Sequence, residues 1–310
     1  MKKRSVRVYA PASVSNLGSG FDVIGVAIEK PGDFVVATRT EEPGLTFSVD
    51  ARSVDVPRDG KNVAEHVASL LLEEFRPSFG IKMILQKRMP IGSGLGSSAA
   101  SSVASAVAVN ALLPRKLKKK DLLRFVVEGE RMASGSPHAD NVAPSLLGGV
   151  CLIRSYDPLD VQSIPVRDQL LWVVVHPHFV IRTEEARAVL PKTVDLKSAI
   201  RQWGNVGGLI AGLMRGDAAL VGKCVEDVIV EPARAHLVPG FQAVKKAAIE
   251  AGATGCSLSG SGPSMFAVTS SVAAARRISS AMVKAFGSVK CDVFISRTNR
   301  SGAVIFVRET

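Results

Sequence analysis

Pro90-Ile91-Gly92-Ser93-Gly94-Leu95-Gly96-Ser97-Ser98-Ala99-Ala100 is the stretch of this 310-residue chain whose reading decides the fold. Three glycines alternate with other residues and run straight into a segment, Ser97 to Leu113, whose Ala and Val spacing suits a buried helix. Glycines permit the φ values that turn successive backbone N–H groups inward, and the helix N-terminus adds its orphan donors and about half a positive charge. Such a loop cradles an anion. Ser97 and Ser98 are expected to cap the helix and offer hydroxyls to phosphate or Mg²⁺. No Lys stands at the GK[ST] position, so the loop is not a Walker A motif. A bare run of alternating glycines is equally a flexible turn; the serine pair and the long small-residue helix favour the phosphate reading.

Upstream of this loop, strand-like alternation covers Ser5 to Tyr9, Val23 to Glu29, Phe34 to Thr40 and Leu45 to Val49. A helix is predicted from about Asn62 to Phe75, with Val63, Val67, Leu70 and Leu71 on one face, and a strand over Ile81 to Gln86. Downstream, a helix over Leu122 to Met132 and a strand over Gly148 to Ile153 close a first domain. The second half opens near Ser155, with a turn at Asp157 and Pro158 and a buried strand at Leu171 to Val175. Helices are predicted at Glu184 to Val189, Leu196 to Leu213, Phe241 to Glu250 and Val272 to Phe286. Two short strands flank SGSGP within Thr254 to Thr269, and Cys291 to Ser296 and Val304 to Val307 read as final strands. The pattern lacks a strict βαβ rhythm, so the fold class is α+β in two domains, 1–154 and 155–310.

With 46% hydrophobic residues the chain can bury a sizeable core. MKKRSVRVYAPAS lacks the uninterrupted apolar region of a signal peptide, and the apolar window Ala99 to Leu113 is broken by serines and falls short of a bilayer span. The four cysteines lie far apart and form no CxxC pair, which suggests neither a zinc site nor a disulfide framework and fits a reducing cytoplasm. A net charge of +11 attracts nucleic acid, membranes or anionic small molecules alike, and 5% aromatic content argues against base stacking. An RNA-binding module is therefore a secondary reading.

Three further segments carry polar groups. Ala10 to Asp22 holds Asn16 and Asp22 between two strands; Asn16 donates and accepts, whereas Asp22 only accepts, which suits an ammonium or hydroxyl. Taken alone, an Asx-turn and a surface cap explain both as well. Gly255 to Ser264 brings glycines close to something or makes a tight hairpin. Between them lie Glu130, a hard-oxygen ligand for Mg²⁺ or a plain helix residue, and His138, Asp140 and Asn141, a polar-substrate cluster or a capped turn.

The three loops, in this order and spacing, resemble the motifs of the GHMP kinases, the superfamily of galactokinase, homoserine kinase and mevalonate kinase. PASVSNLGSGFDVIGVAI from Pro11, HADNVAP from His138, TEEARAVLP from Thr183, EPARAHLVPGF from Glu231 and GCSLSGSGPS from Gly255 look like the homoserine kinases within it. The likeness runs from about Val6 to the last strand. Val14 and Ser19 depart from the usual first motif.

That resemblance implies a GHMP kinase fold: an N-terminal domain like the second domain of ribosomal protein S5, and a ferredoxin-like C-terminal domain. It implies ATP on residues 90–100 with Asn62 near the adenine, Mg²⁺ on Ser98 and Glu130, and phosphorylation of L-homoserine in threonine biosynthesis. Asn16, Asp22, His138, Asp140, Asn141, Arg187, Arg234 and Gly260 match the substrate-binding positions, with Asn141 and Arg187 as the catalytic pair. Arginine forks suit a carboxylate or the transferring phosphoryl group, and Asp22 and Asp140 suit an ammonium. An amide at Asn141 is no general base, so catalysis by positioning and charge neutralisation is expected. The nearest alternative is a kinase of this fold acting on another small alcohol such as mevalonate. A homodimer is an expectation from the family, and neither nucleic acid nor membrane is an expected partner.

Overall fold

The computed structural model describes residues 5–51, 62–167 and 169–307. Its first half runs β1 (Ser5–Ser15), β2 (Ile24–Thr40), β3 (Leu45–Ala51), α1 (Val63–Phe75), β4 (Gly80–Lys87), α2 (Ser97–Leu112), α3 (Leu123–Ser134), α4 (Ala139–Leu147), β5 (Val150–Tyr156) and β6 (Leu159–Ile164). The second half runs β7 (Leu171–Pro177), α5 (Thr183–Ala188), α6 (Leu196–Arg215), α7 (Ala218–Cys224), α8 (Val230–Arg234) and α9 (Phe241–Glu250). It continues through β8 (Gly255–Leu258), β9 (Met265–Thr269), α10 (Val272–Ala285), β10 (Cys291–Arg297) and β11 (Val304–Val307).

Two sheets organise these elements, and the fold is α+β. The first has the order β11-β1-β2-β4-β3, with β5 pairing β2 and β6 pairing β5. Only β3 and β4 run parallel, in the register Phe47↔Met83. The two strands expected at Val23–Glu29 and Phe34–Thr40 are one strand, because the chain stays extended against β1 through Pro11↔Gly32. A side chain on Gly32 would strike the Tyr9 ring at 2.4 Å, so glycine alone lets the strand pass beneath it. β6 and β11 join this first sheet although both lie beyond residue 154; the turn at Asp157 and Pro158 is the tip of a hairpin, with Tyr156↔Leu159 paired.

The second sheet, β10-β7-β9-β8, is antiparallel throughout. Along β7 successive side chains face opposite ways. Trp172 and Val174 pack into the core of the first sheet, whereas Val173 and Val175 pack with Ile278, Met282 and Val244 of α10 and α9. A strand buried on both faces reads as a continuous apolar run, which is why LWVVV shows no alternation.

α2 sits at the centre of the first unit. Its residues are buried all round apart from Ser98, because Ala, Ser and Val are small enough to pass between the sheet and α1, α3 and α4. Among the described residues no helix is long and apolar enough to cross a membrane.

Candidate functional site

Three loops from distant parts of the chain lock together by backbone contacts. Ser13 N donates to Leu95 O (3.1 Å), Gly260 N to Ser15 O (3.3 Å), and Ser264 N to Ser93 O (3.3 Å). Ser259 Oγ donates to Gly94 O at 2.6 Å. A Cβ on Gly94 would meet Ser259 O at 2.3 Å, and one on Gly96 would meet Ser13 Oγ at 2.3 Å and Asn141 Oδ1 at 2.8 Å. Both glycines have positive φ, so space and backbone conformation each demand glycine.

The loops border one cavity of about 910 Å³. Ile91, Gly92, Ser93, Gly94, Gly96, Ser97 and Ser98 line it, as does Asn62, whose Oδ1 caps α1 by accepting from Ala64 N. Leu95, Ala99 and Ala100 turn into the core instead, and Pro90 accepts from Ser93 Oγ at the loop's base. The expected serine cap is corrected. α2 begins at Ser97 itself, so the N-cap is Gly96 and no side chain caps the helix. The first-turn donors stay unclaimed by capping, which suits an anion at that end.

Glu130, on α3, lines the same end and is 4% exposed. Burial pushes its carboxyl up to about 7, opposed by a hydrogen bond from Ser98 and the charge of Lys87. Lys87 and its neighbours escaped sequence reasoning. Buried Lys87 Nζ pairs with Asp33 and donates to Ser97 O (2.8 Å) and Ser101 Oγ (3.0 Å). Asp33 also accepts from Arg88 N, Met89 N and Ser101 Oγ. The signal was available: Ile81, Met83, Leu85 and Lys87 share one strand phase, so period two places a lysine on the buried face, where it needs an anion.

Asn16 and Asp22 also line the cavity, from a loop whose Asn16, Leu17 and Asp22 all have positive φ. Asn16 Nδ2 donates to Gly260 O (3.0 Å), and its Oδ1 accepts from Asp22 N (3.1 Å). Arg187, from α5, meets Asp22 and His138. Its Nη2 lies 2.9 and 2.8 Å from the two Asp22 oxygens, and its Nε and Nη2 lie 3.2 and 2.6 Å from His138 Nε2. Burial, reinforced by the Arg187 charge, lowers His138 to about 4, so a neutral imidazole accepts from the guanidinium.

Arg234, from α8, donates to Ala186 O (2.8 Å) and Gly260 O (3.2 Å). Burial lowers it to about 10, with the Arg187 charge adding. Both guanidiniums stand over the Phe21 ring, at 5.5 and 5.0 Å, an aromatic contact that eases the approach of two cations. Phe21, too, was missed.

Asn141 and Asp140 begin α4. The Asn141 amide is fixed at both ends: Oδ1 accepts from Ser13 Oγ (2.9 Å) and Nδ2 donates to Ser15 Oγ (3.1 Å). Asp140 is 1% exposed, and its Oδ1 has no hydrogen-bond partner. Burial and the Asp22 charge push its carboxyl up to about 8. Val14 and Ser19, the departures from the usual motif, are buried, and Ser19 Oγ donates to Cys224 O. Neither lines the cavity.

Comparison with known proteins points to one family. Residues 62–149 match the GHMP kinases N terminal domain, and 209–288 match the GHMP kinases C terminal domain. A homoserine kinase of Chlorobium phaeovibrioides is 47% identical over 97% of this chain and 99% of its own length. One from Arabidopsis thaliana is 40% identical over 96% of this chain and 84% of its own. The crystal structure of homoserine kinase from Cytophaga hutchinsonii superposes with a TM-score of 0.94 at 48% identity, covering 99% of this chain and 98% of that one. The crystal structure of L. major mevalonate kinase in complex with R-mevalonate, 17% identical with a TM-score of 0.73 over 96% of this chain and 97% of its own, shares the fold.

Proposed function

The chain belongs to the homoserine kinases of the GHMP kinase family, and from that premise we propose that it transfers the γ-phosphoryl group of ATP to the hydroxyl of L-homoserine, yielding O-phospho-L-homoserine and ADP in threonine biosynthesis. The observation that carries the reading is one cavity bordered both by a glycine-rich anion cradle and by two arginines, Asp22 and a fixed Asn141. Residues 1–154 supply the nucleotide side in this reading, and 155–310 supply Arg187 and Arg234.

The hydroxyl oxygen attacks the γ-phosphorus while the bond to the β-bridging oxygen breaks, and the hydroxyl proton leaves to phosphate or solvent. Backbone N–H groups of residues 92–98 and the start of α2 hold the phosphates. Asn141, pinned by Ser13 and Ser15, orients the hydroxyl without taking its proton. Arg187 and Arg234 hold the α-carboxylate or meet charge developing on the transferring group. Ser98 and Glu130 fit Mg²⁺, because a divalent cation relieves the burial penalty on the Glu130 charge; when bound, it neutralises phosphate oxygens. A cytoplasmic homodimer completes the reading.

A coupled ADP-release assay with homoserine, mevalonate, shikimate and galactose in parallel tests it. Mg²⁺-dependent turnover with homoserine alone is expected. Equal turnover with mevalonate removes the substrate assignment, and no turnover with any alcohol removes the kinase.

A further inference from the structure

α6 turns Leu209 and Leu213 into the core, and the same buried face carries one polar side chain, Gln202, which is 7% exposed. Helical spacing alone calls for an apolar residue there, and a buried amide is costly unless its donors and its acceptor are met. Gln202 meets both. Its Nε2 donates to Ser19 O and to Asp227 Oδ1, each at 2.9 Å, and its Oε1 accepts from Val228 N at 3.1 Å.

The two acceptors lead to different walls of the cavity. Ser19 lies in the loop between β1 and β2, just before Phe21 and Asp22. Asp227 caps α8: its Oδ1 accepts from Ile229 N and Val230 N at 2.9 Å, and its Oδ2 from Glu231 N at 2.8 Å. Arg234 is the last residue of α8, and its guanidinium returns to the Phe21 ring at 5.0 Å. The contacts close a ring, from Gln202 through Ser19 to Phe21, across to Arg234, and back along α8 to Asp227 and Gln202. Phe21, Asp22 and Arg234 line the cavity; Ser19, Gln202 and Asp227 do not. A second tie runs alongside. Ser19 Oγ donates to Cys224 O at 2.7 Å, and a Cβ on Gly18 would lie 1.8 Å from Val225 O.

We propose that Gln202 is a positioning residue for phosphoryl transfer: its amide fixes the loop bearing Phe21 and Asp22 against the helix bearing Arg234, and so sets the affinity for the phosphoryl acceptor without touching it. The proposal rests on the homoserine reading of the cavity. Without the amide, Asp227 keeps its three backbone donors and α8 stays capped, but Ser19 O and Val228 N lose their partner and the two walls shift relative to each other. A misplacement of about 1 Å is enough to cost one to two orders of magnitude. The glycine-rich cradle is held by separate contacts, Ser13 N to Leu95 O and Ser264 N to Ser93 O, so the nucleotide is spared.

Steady-state kinetics of the full chain, with homoserine and ATP varied separately, test this on wild type, Gln202→Met and Ser19→Ala. Gln202→Met should raise the homoserine KM about tenfold while the ATP KM stays within about twofold and kcat within about threefold. Ser19→Ala, which removes the second tie and leaves the amide, should raise the homoserine KM about threefold. A glutamine that serves stability alone would lower the melting temperature of Gln202→Met and leave the homoserine KM of the folded protein unchanged. That outcome overturns the proposal, and so does a parallel rise of both KM values.

Gln202→Glu gives an independent reading should Gln202→Met not fold. Its carboxyl would face Asp227; the adjoining charges, Arg201 and Glu226, are exposed and pair with each other. At about pH 6 the two carboxyls share a proton and one donates to the other, whereas at about pH 8 both are ionised and repel. The homoserine KM of Gln202→Glu, taken relative to wild type at the same pH, should therefore rise about tenfold across that interval. A flat ratio overturns the proposal. Wild type that phosphorylates homoserine beside variants with unmoved KM sinks the positioning role alone; wild type inert toward homoserine sinks the reading beneath it and the positioning role with it.

Discussion

Burial holds the Glu130 carboxyl protonated up to about pH 7, against 4.5 for an ordinary one. Because the folded value is the raised one, the unfolded chain releases this proton first as pH climbs. Stability from this group therefore falls between about 4.5 and 7 and is level above. Glu130→Gln, which cannot ionise, should be more stable than wild type by roughly 2–3 kcal/mol at pH 8 without nucleotide or Mg²⁺, the gap closing toward pH 5. Its turnover should drop at least about 100-fold. Urea unfolding at the two pH values and steady-state kinetics check both halves, and a variant less stable at pH 8 contradicts the burial argument. Glu130 itself was legible as a metal-ligand residue type. That it would be buried beside Lys87, or that Asp140 would be buried close to the Asp22 charge, was not, since both facts depend on neighbours far away in sequence.

Among elements, β4 and α2 show how a strand positions a helix end. Lys87 continues the inward phase of β4 and grips Ser97 O, tying the strand to the first turn of α2 across the glycine loop. Lys87→Met should lower stability by about 3–5 kcal/mol, because Asp33 is left as a buried carboxylate without its cation. Adding Asp33→Asn, which keeps an acceptor for Arg88 N and Met89 N, should recover most of that loss in a urea titration. A double variant no better than the single one argues that packing, not charge, holds the junction. The sequence pattern delivered α2, β7, α9 and the β8–β9 hairpin closely: α2 and β7 as unbroken runs of small or β-branched residues, α9 by its helical period and the hairpin by its turn glycines. It missed α4 as a helix, because Pro144 at its sixth position reads as a breaker, and it missed α7 and α8, which are too short to show a period.

The whole molecule depends on pairings that no local window reveals. Cys291 to Ser296 and Val304 to Val307 both read as final strands, yet β10 lies on β7 of the second sheet while β11 crosses back to β1 of the first. Local alternation says that a strand exists; the partner is set by which edge remains open once everything else has packed. Removing residues 303–310 should therefore bare β1 as a sheet edge, lower the melting temperature by about 5 °C and promote association seen by light scattering. An unchanged melting temperature and a monodisperse sample go against it.

Val6 and Val307 are register partners 301 positions apart. At 5–20 residues per second, a ribosome needs roughly 15–60 s to travel between them. Throughout that interval β1 offers an unfilled hydrogen-bonding rim to neighbours on the same polysome, and the arrival of residues 304–307 ends the exposure.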